Sequence, residues 1–443
     1  MFEKKHFFGK ALLSGKRPLP FFIIFLLLLN GILFLVWIQK DQAGGFKWNK
    51  PADLLRQSSS PTPSIYSEAE EVKKLEISYG VFEKYFKNLA QRKGATYAYE
   101  ILRFVPLLPN IDTHLLGHAI GDILYKQEGL KGIEICTNDF RNACSHTIVV
   151  GLFMDKGEGA LPEIADVCRL APGGPGAYTM CFHGLGHGIL AYTGYDVPKA
   201  VGLCNKTGTP QYRGREAAEC IGGIVMETIG GGFHDKALWE KQRQKYLKKE
   251  NPLSLCSADF MPKDAKSMCY LYLTPYLFEA VGGSLFRLTD DDLKKAFKLC
   301  GAIDLSENPN LDACYGGFGK EFVALLEEHD IRREVVESLS ADQLLRVYTW
   351  CSLADSAKGI GSCVSHAQKA LYWGGENDRG VSLRFCGAIP DIQYRSSCFS
   401  GLIQDVRRYI HDPLYKEAFC KELPSQYSGE CQDMLRESDR ESR

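Results

Sequence analysis

Five of the ten histidines of this chain lie in one stretch and repeat a simple spacing. Two pairs of histidines, each with its members four residues apart, lie on either side of a single histidine in the sequence. The five are His114, His118, His146, His183 and His187. Residues four apart share one face of a helix, about 6 Å from each other. Neutral imidazoles suit borderline divalent ions such as zinc, copper, iron and nickel. The spacing therefore predicts a metal site, provided that the three segments are helices lying side by side.

The sixteen cysteines predict a repeat that would place such helices side by side. Taken as successive pairs, partners are 8 to 16 residues apart, whereas neighbouring pairs are separated by 22 to 37 residues. The first cysteines recur every 32 to 52 residues, which is typical of helical repeats. The predicted pairs are 136/144, 168/181, 204/220, 256/269, 300/314, 351/363, 386/398 and 420/431.

Each repeat unit follows one plan: helix A, a loop and helix B. A helix-like segment ends near the first cysteine, as at Cys300, and the second cysteine is expected to open helix B, as at Cys314. A disulfide between them would stabilise each unit by about 3 kcal/mol on the chain-entropy model. Free or zinc-bound thiols are the alternative, but no Cys-x-x-Cys pair typical of structural zinc occurs.

Glycines cluster near the expected start of helix B, as at Gly184, Gly222 and Gly316. Each costs about 1 kcal/mol relative to Ala in a helix, so a compensating interaction is needed. We favour close approach between neighbouring B helices. Close approach of a ligand to the backbone is the alternative.

The second cysteine also gives a register for the histidines. His146 and His183 each lie two residues after such a cysteine, and His187 lies six residues after it. The segment Asp112 to His118 matches Cys181 to His187, with Asp112 in the place of the cysteine, and is interpreted as a degenerate terminal unit. Equivalent positions in a stack of repeats face one surface, so we expect the five imidazoles to converge.

Further side chains extend this pattern. Asp122 continues the stripe of His114 and His118 and is predicted to be an additional ligand or a carboxylate that orients one. His234 is a candidate sixth ligand with a surface position as the default, and His366, out of register, is predicted to be structural. Other groups predicted near the cluster are Met154, Tyr178, Tyr192 and Tyr195.

Three other interpretations of the histidines stay open. They could be polar core residues bonded to carbonyls, could line a groove for an anionic or peptide ligand, or could bind heme axially. No Cys-x-x-Cys-His supports covalent heme attachment, and no His-Glu-x-x-His supports a thermolysin-like peptidase.

The N-terminal segment has the features of a membrane anchor. Residues 21–38 carry no charge and would span about 27 Å as a helix, roughly one hydrocarbon core. Five basic residues precede this run and three follow it within 15 positions, which favours a cytoplasmic N-terminus. A cleaved signal peptide is the alternative, although Asp41-Gln42-Ala43 is a poor cleavage site.

The composition excludes two broad classes. A net charge of −1 argues against a basic nucleic-acid platform, and 45% apolar residues argue against a mostly disordered chain. The predicted segments are a cytoplasmic tail (1–20), a transmembrane anchor (21–38), a flexible Ser/Pro tether (39–67), a helical-repeat ectodomain (68–435) and a disordered tail (436–443).

The sequence therefore predicts an all-α protein, in which one transmembrane helix precedes a right-handed, disulfide-stapled α-solenoid in the periplasm or outside the cell. The leading hypothesis is a metal-binding protein carrying copper, zinc or iron on the five histidines and Asp122, with oxidoreductase or hydrolase activity. The alternative is a non-enzymatic scaffold that binds a protein or peptide on its concave face. No nucleic-acid partner is expected.

Overall fold

A computed structural model of the protein describes residues 63–433, apart from gaps at 76–77, 106, 108–110, 137–138, 172–173, 211, 232–234, 284–286, 327, 329–332, 375–378 and 411. The predicted tail at 1–20, the anchor at 21–38, most of the tether and the tail at 436–443 lie outside these residues. Within the described part, no helix combines the length and apolarity that crossing a bilayer requires.

The described residues form helices joined by short turns, and they contain no β-strand. The α-helices, in chain order, are α1 Pro63–Val72, α2 Tyr79–Lys93, α3 Ala95–Phe104, α4 Thr113–Glu128, α5 Gly132–Ile135, α6 Asp139–Lys156, α7 Leu161–Arg169, α8 Gly174–Tyr192, α9 Val197–Cys204, α10 Arg213–Gly230, α11 Lys236–Tyr246, α12 Ser254–Ser257, α13 Lys266–Tyr272, α14 Thr274–Ala280, α15 Asp290–Cys300, α16 Asn308–Leu326, α17 Arg333–Ser338, α18 Ala341–Cys351, α19 Ala357–Gly374, α20 Arg379–Ala388, α21 Ile392–Tyr409 and α22 Pro413–Glu422. The predicted all-α class is thus confirmed for this part of the chain.

The first helix corrects one predicted boundary. The sequence places residues 63–67 in the flexible tether, but they form the first half of α1. Ile65 and Ala69 on this helix are buried in the core, so apolar burial orders a segment whose Ser/Pro composition resembles a spacer.

The B helices stack in the order of the chain. Helix α4 packs on α6, α6 on α8, α8 on α10, α10 on α13, α13 on α16, α16 on α19 and α19 on α21. Each therefore buries its apolar side against the B helices of adjacent units, as expected of a repeat array.

All sixteen cysteines form disulfides, and the eight bonds join the predicted successive pairs. Their Cα atoms are 5.5 to 5.8 Å apart, the usual separation for this cross-link. Disulfides in such number persist in oxidising compartments, so they indicate an extracytoplasmic domain.

The position of the second cysteine within helix B differs from the prediction. Helices α8 and α16 begin at Gly174 and Asn308, well before Cys181 and Cys314, instead of opening at those cysteines. The Gly and Pro residues that suggested a loop are tolerated in a first helical turn, where the amide donors have no intrahelical partner. The disulfide consequently fastens helix A to the interior of helix B.

Close contact between B helices accounts for several of the glycines. A Cβ atom added to Gly186 in α8 would lie 1.9 Å from the carbonyl oxygen of Cys220 in α10. A Cβ atom added to Gly223 in α10 would lie 2.0 Å from the carbonyl oxygen of His183 in α8. These distances are far below van der Waals contact, so helix–helix approach explains the glycines at this crossing.

Removing one disulfide should measurably destabilise the fold. We expect Cys386→Ala/Cys398→Ala to lower the free energy of unfolding by about 2–4 kcal/mol, because the cross-link restricts the unfolded chain. Urea titration of the variant and the parent measures this difference. Non-reducing peptide mapping is the control, and links between different units would contradict the repeat boundaries.

Candidate metal centre

Three neighbouring B helices carry the five histidines, here called the histidine cluster: His114 and His118 on α4, His146 on α6, and His183 and His187 on α8. Helix α6 lies between the other two and packs on both. Glycines permit the close packing, since a Cβ atom on Gly184 would lie 2.5 Å from the Cα atom of His146. The sequence register and the glycines together bring the rings to one place.

The rings converge as the repeat alignment predicts. The centroid of His114 lies 4.6 Å from that of His118 and 5.5 Å from that of His146. On the other side, His183 lies 5.1 Å from His187 and 5.8 Å from His146. One nitrogen from each of His114, His118 and His146 lies within 4.8 Å of the other two, which makes these three a potential ligand group.

A kink within the first turns of α6 determines which nitrogen of His114 carries a proton. Phe140, Arg141 and Asn142 have φ values of 56°, 52° and 62°, in the left-handed region that side chains other than glycine rarely adopt. The Phe140 carbonyl lies 2.6 Å from Nδ1 of His114. A carbonyl only accepts hydrogen bonds, so Nδ1 donates, and Nε2 of the neutral ring has a lone pair.

A threonine fixes the tautomer of His118 in the same way. The hydroxyl of Thr147 donates to the carbonyl of Ala143 at 2.8 Å, which uses its single proton. Nδ1 of His118 lies 3.3 Å from the same hydroxyl and therefore donates to it. Nε2 of His118 then has a lone pair, and it lies 3.1 Å from Nε2 of His114. Two lone pairs consequently face each other across this gap.

His146 is the most enclosed member of the cluster. Its side chain is 0% exposed, and neither ring nitrogen has a hydrogen-bond partner among the described residues. Burial, reinforced by the four surrounding imidazoles, holds the pKa of His146 well below its ordinary value. The ring is therefore neutral and presents a lone pair in a buried setting where an unsatisfied polar group is unfavourable.

The histidines of α8 are similarly placed. His183 is 1% exposed, and burial, followed by the charge of neighbouring groups, lowers its pKa well below the ordinary value. Within the described part of the chain, Nδ1 of His183 and Nε2 of His187 have no hydrogen-bond partner. Nδ1 of His187 lies 3.0 Å from Oε2 of Glu227 in α10 and donates a hydrogen bond to it, so that Nε2 of the neutral ring has a lone pair.

Glu227 was missed by the sequence reasoning, together with Thr147 and the Phe140 carbonyl. Glu227 lies seven residues after Cys220, in the B helix next to α8, so extending the register by one unit could have found it. The backbone carbonyl of Phe140 left no such signal, because its direction depends on an unusual turn. Tyr272, whose ring centroid is 4.7 Å from that of His183, was also missed.

The remaining predicted groups have various positions. Asp122 lies one turn beyond His118 and, with Met154, lines an open pocket of about 510 Å³. Asp122 does not belong to the group of three histidines, and its role as a ligand stays a prediction. Tyr178 donates to Glu216. His366 lies in α19, where its Nδ1 is 3.0 Å from the Ser362 carbonyl. Tyr192 is exposed and Tyr195 is buried. His234 lies outside the described residues.

Comparison of the chain with models of known families, with curated proteins and with solved structures finds no match. Its class is defined by its own features: an all-α, disulfide-bonded repeat domain of extracytoplasmic type. Its distinguishing feature is a largely buried cluster of imidazoles, three of which are oriented by a carbonyl, a hydroxyl and a carboxylate.

Proposed function

We propose that this protein binds a divalent transition-metal ion through His114, His118 and His146. The observation that carries the proposal is the 3.1 Å approach of two Nε2 atoms, each of which holds a lone pair because its ring donates through Nδ1. Two facing lone pairs repel unless a cation lies between them. The ring centroid of His146 lies 5.5 Å from the centroids of His114 and His118, so this ring is in position to supply a third nitrogen.

The spacing suits a metal ion better than a proton. Two nitrogens bonded to one tetrahedral zinc ion at about 2.0–2.1 Å lie roughly 3.3 Å apart, close to the distance between these two atoms. A shared proton would instead require a buried imidazolium. Burial already lowers the pKa of His114, which disfavours that charged state.

The ligand set restricts the kind of ion. All three ligand nitrogens belong to imidazole rings, and every cysteine is in a disulfide, so thiolate ligands are excluded. Imidazole suits zinc, copper, iron and nickel, whereas calcium and magnesium prefer oxygen ligands. Three protein ligands leave a coordination position open for water. A zinc ion would activate that water for hydrolysis, whereas a copper or iron ion would support redox chemistry. We therefore propose a metal-dependent hydrolase or oxidoreductase, according to the ion.

We further propose that this domain is a right-handed α-solenoid held at the outer face of a membrane by residues 21–38. The eight disulfides support the oxidising side, and the basic residues before the apolar run support a cytoplasmic N-terminus. Under this proposal, protease added to cells whose outer envelope has been removed degrades the repeat domain and leaves a short N-terminal fragment in the membrane.

The decisive experiment is metal analysis of the full chain, purified without a histidine tag. We expect at least one zinc or copper ion per chain to survive dialysis, and His114→Ala/His118→Ala to remove one ion. His366→Ala is the matched control, because His366 is a half-buried histidine on α19, outside the cluster, and should leave the metal content unchanged. A folded wild-type chain that takes up no metal would contradict the proposal and favour a scaffold that binds a protein or peptide.

A further inference from the structure

The three-histidine group leaves His183 and His187 without a role, although both rings belong to the histidine cluster. Resting on the metal-binding function proposed above, we propose that the cluster holds two divalent ions. The first lies at His114 and His118, the second lies at His183 and His187, and the ring of His146 bridges them with one nitrogen on each.

The second pair of histidines has the features expected of metal ligands. Their ring centroids are 5.1 Å apart, comparable with the 4.6 Å between His114 and His118. Nδ1 of His183 and Nε2 of His187 are both buried and lack hydrogen-bond partners among the residues that the structure describes. Two ring nitrogens one helical turn apart on α8 are therefore buried without a hydrogen-bond partner in the described structure.

Glu227 gives the second pair an orienting carboxylate. Its Oε2 lies 3.0 Å from Nδ1 of His187, and the exposed fractions of the two side chains are only 8% and 12%. A carboxylate that accepts from one ring nitrogen fixes the tautomer and raises the basicity of the other, which is the usual arrangement behind a metal-ligating histidine. This carboxylate belongs to α10, so the second ion would tie a fourth B helix to the centre.

His146 is placed to serve both ions. Its ring centroid lies 5.5 Å from His114 and His118 on one side, and 5.8 and 6.3 Å from His183 and His187 on the other. A single metal would use one of its nitrogens and leave the other buried without a partner in the described structure. Two ions bridged by the ring use both nitrogens, and they would be roughly 6 Å apart, since each metal–nitrogen bond is about 2 Å long.

The bridge involves one proton and no electrons. The neutral ring carries a proton on one nitrogen, and the second ion takes the place of that proton, which passes to solvent. The product is an imidazolate with a metal ion on each nitrogen, so no oxidant or reductant is required.

Zinc and copper(II) titrations of the chelator-stripped full chain test the proposal. We expect two ions per chain for the wild type and one for His183→Ala/His187→Ala. Glu227→Gln should weaken only the second ion, by about 10–100-fold, because it removes the orienting charge. Glu216→Gln is the matched control: it lies on the same helix and is buried, but it bonds Tyr178 and Thr209, so both metal affinities should persist.

Electron paramagnetic resonance distinguishes a bridged pair from two separate sites. In the wild type loaded with two copper(II) ions, coupling through the shared ring should reduce the signal well below that of two isolated ions. The single ion left in His183→Ala/His187→Ala should give full intensity. A wild type that binds one ion, or two ions with full uncoupled intensity, overturns this inference and leaves the proposed function standing. Absence of any bound ion overturns both.

Discussion

Gly223→Ala should destabilise the protein by about 3 kcal/mol or more, because the new methyl group has no space at the α8–α10 crossing. The Cβ atom would lie 2.0 Å from the carbonyl oxygen of His183, which is main chain and cannot rotate away. Overpacking of this kind typically costs 1–3 kcal/mol and more where the backbone must move. Urea unfolding monitored by circular dichroism measures the loss.

The matched control is Gly202→Ala in α9. This glycine is exposed, and no described atom lies within 4 Å of its added Cβ, so the methyl group meets nothing. Alanine is the better helix former, and we expect a gain of up to about 1 kcal/mol. Equal stability of Gly223→Ala and the wild type would show that the two helices do not approach as described. The histidine cluster would then lose the packing that assembles it.

His146→Leu should have opposite effects on the metal-free and metal-bound protein. In the stripped protein we expect a gain of about 1–3 kcal/mol, because leucine replaces a fully buried ring whose nitrogens lack partners among the described residues. The free energy of unfolding of the wild type should rise by about 4 kcal/mol when zinc is added at a thousandfold excess over its dissociation constant. The free energy of unfolding of the variant should rise much less on adding zinc, because the variant lacks the shared ligand.

His366→Leu is the control for the predicted gain in stability of the metal-free protein. His366 is half-buried, and its Nδ1 lies 3.0 Å from the carbonyl of Ser362, so its removal breaks a hydrogen bond and should destabilise the protein with or without zinc. Thermal unfolding of both variants in chelator and in zinc makes the comparison. If His146→Leu proves less stable than the wild type in chelator, His146 is a satisfied polar core residue. The alternative interpretation of the histidines as polar core residues is then correct.

The cysteine spacing was sufficient to predict the disulfides and the all-helical class, because cross-links within a short hairpin depend on local separation along the chain. The helix boundaries were harder to predict. Gly174 and Pro175 before Cys181, and Pro309 before Cys314, resemble loop residues, yet they lie in the first turns of α8 and α16. Residues 63–67 resemble a spacer, yet burial of Ile65 makes them helical. In each case packing outweighed composition.

The convergence of the histidines was predictable because a repeat carries one register from unit to unit, and stacked units superpose equivalent positions. The tautomers of His114 and His118 were not predictable, since they depend on a carbonyl and a hydroxyl supplied by the neighbouring helix. The same holds for Glu227, whose approach to His187 depends on the close packing of α8 on α10 at Gly186 and Gly223. Local chain chemistry therefore determines which residues recur, whereas the direction of lone pairs and the distances between helices arise from contacts between distant segments.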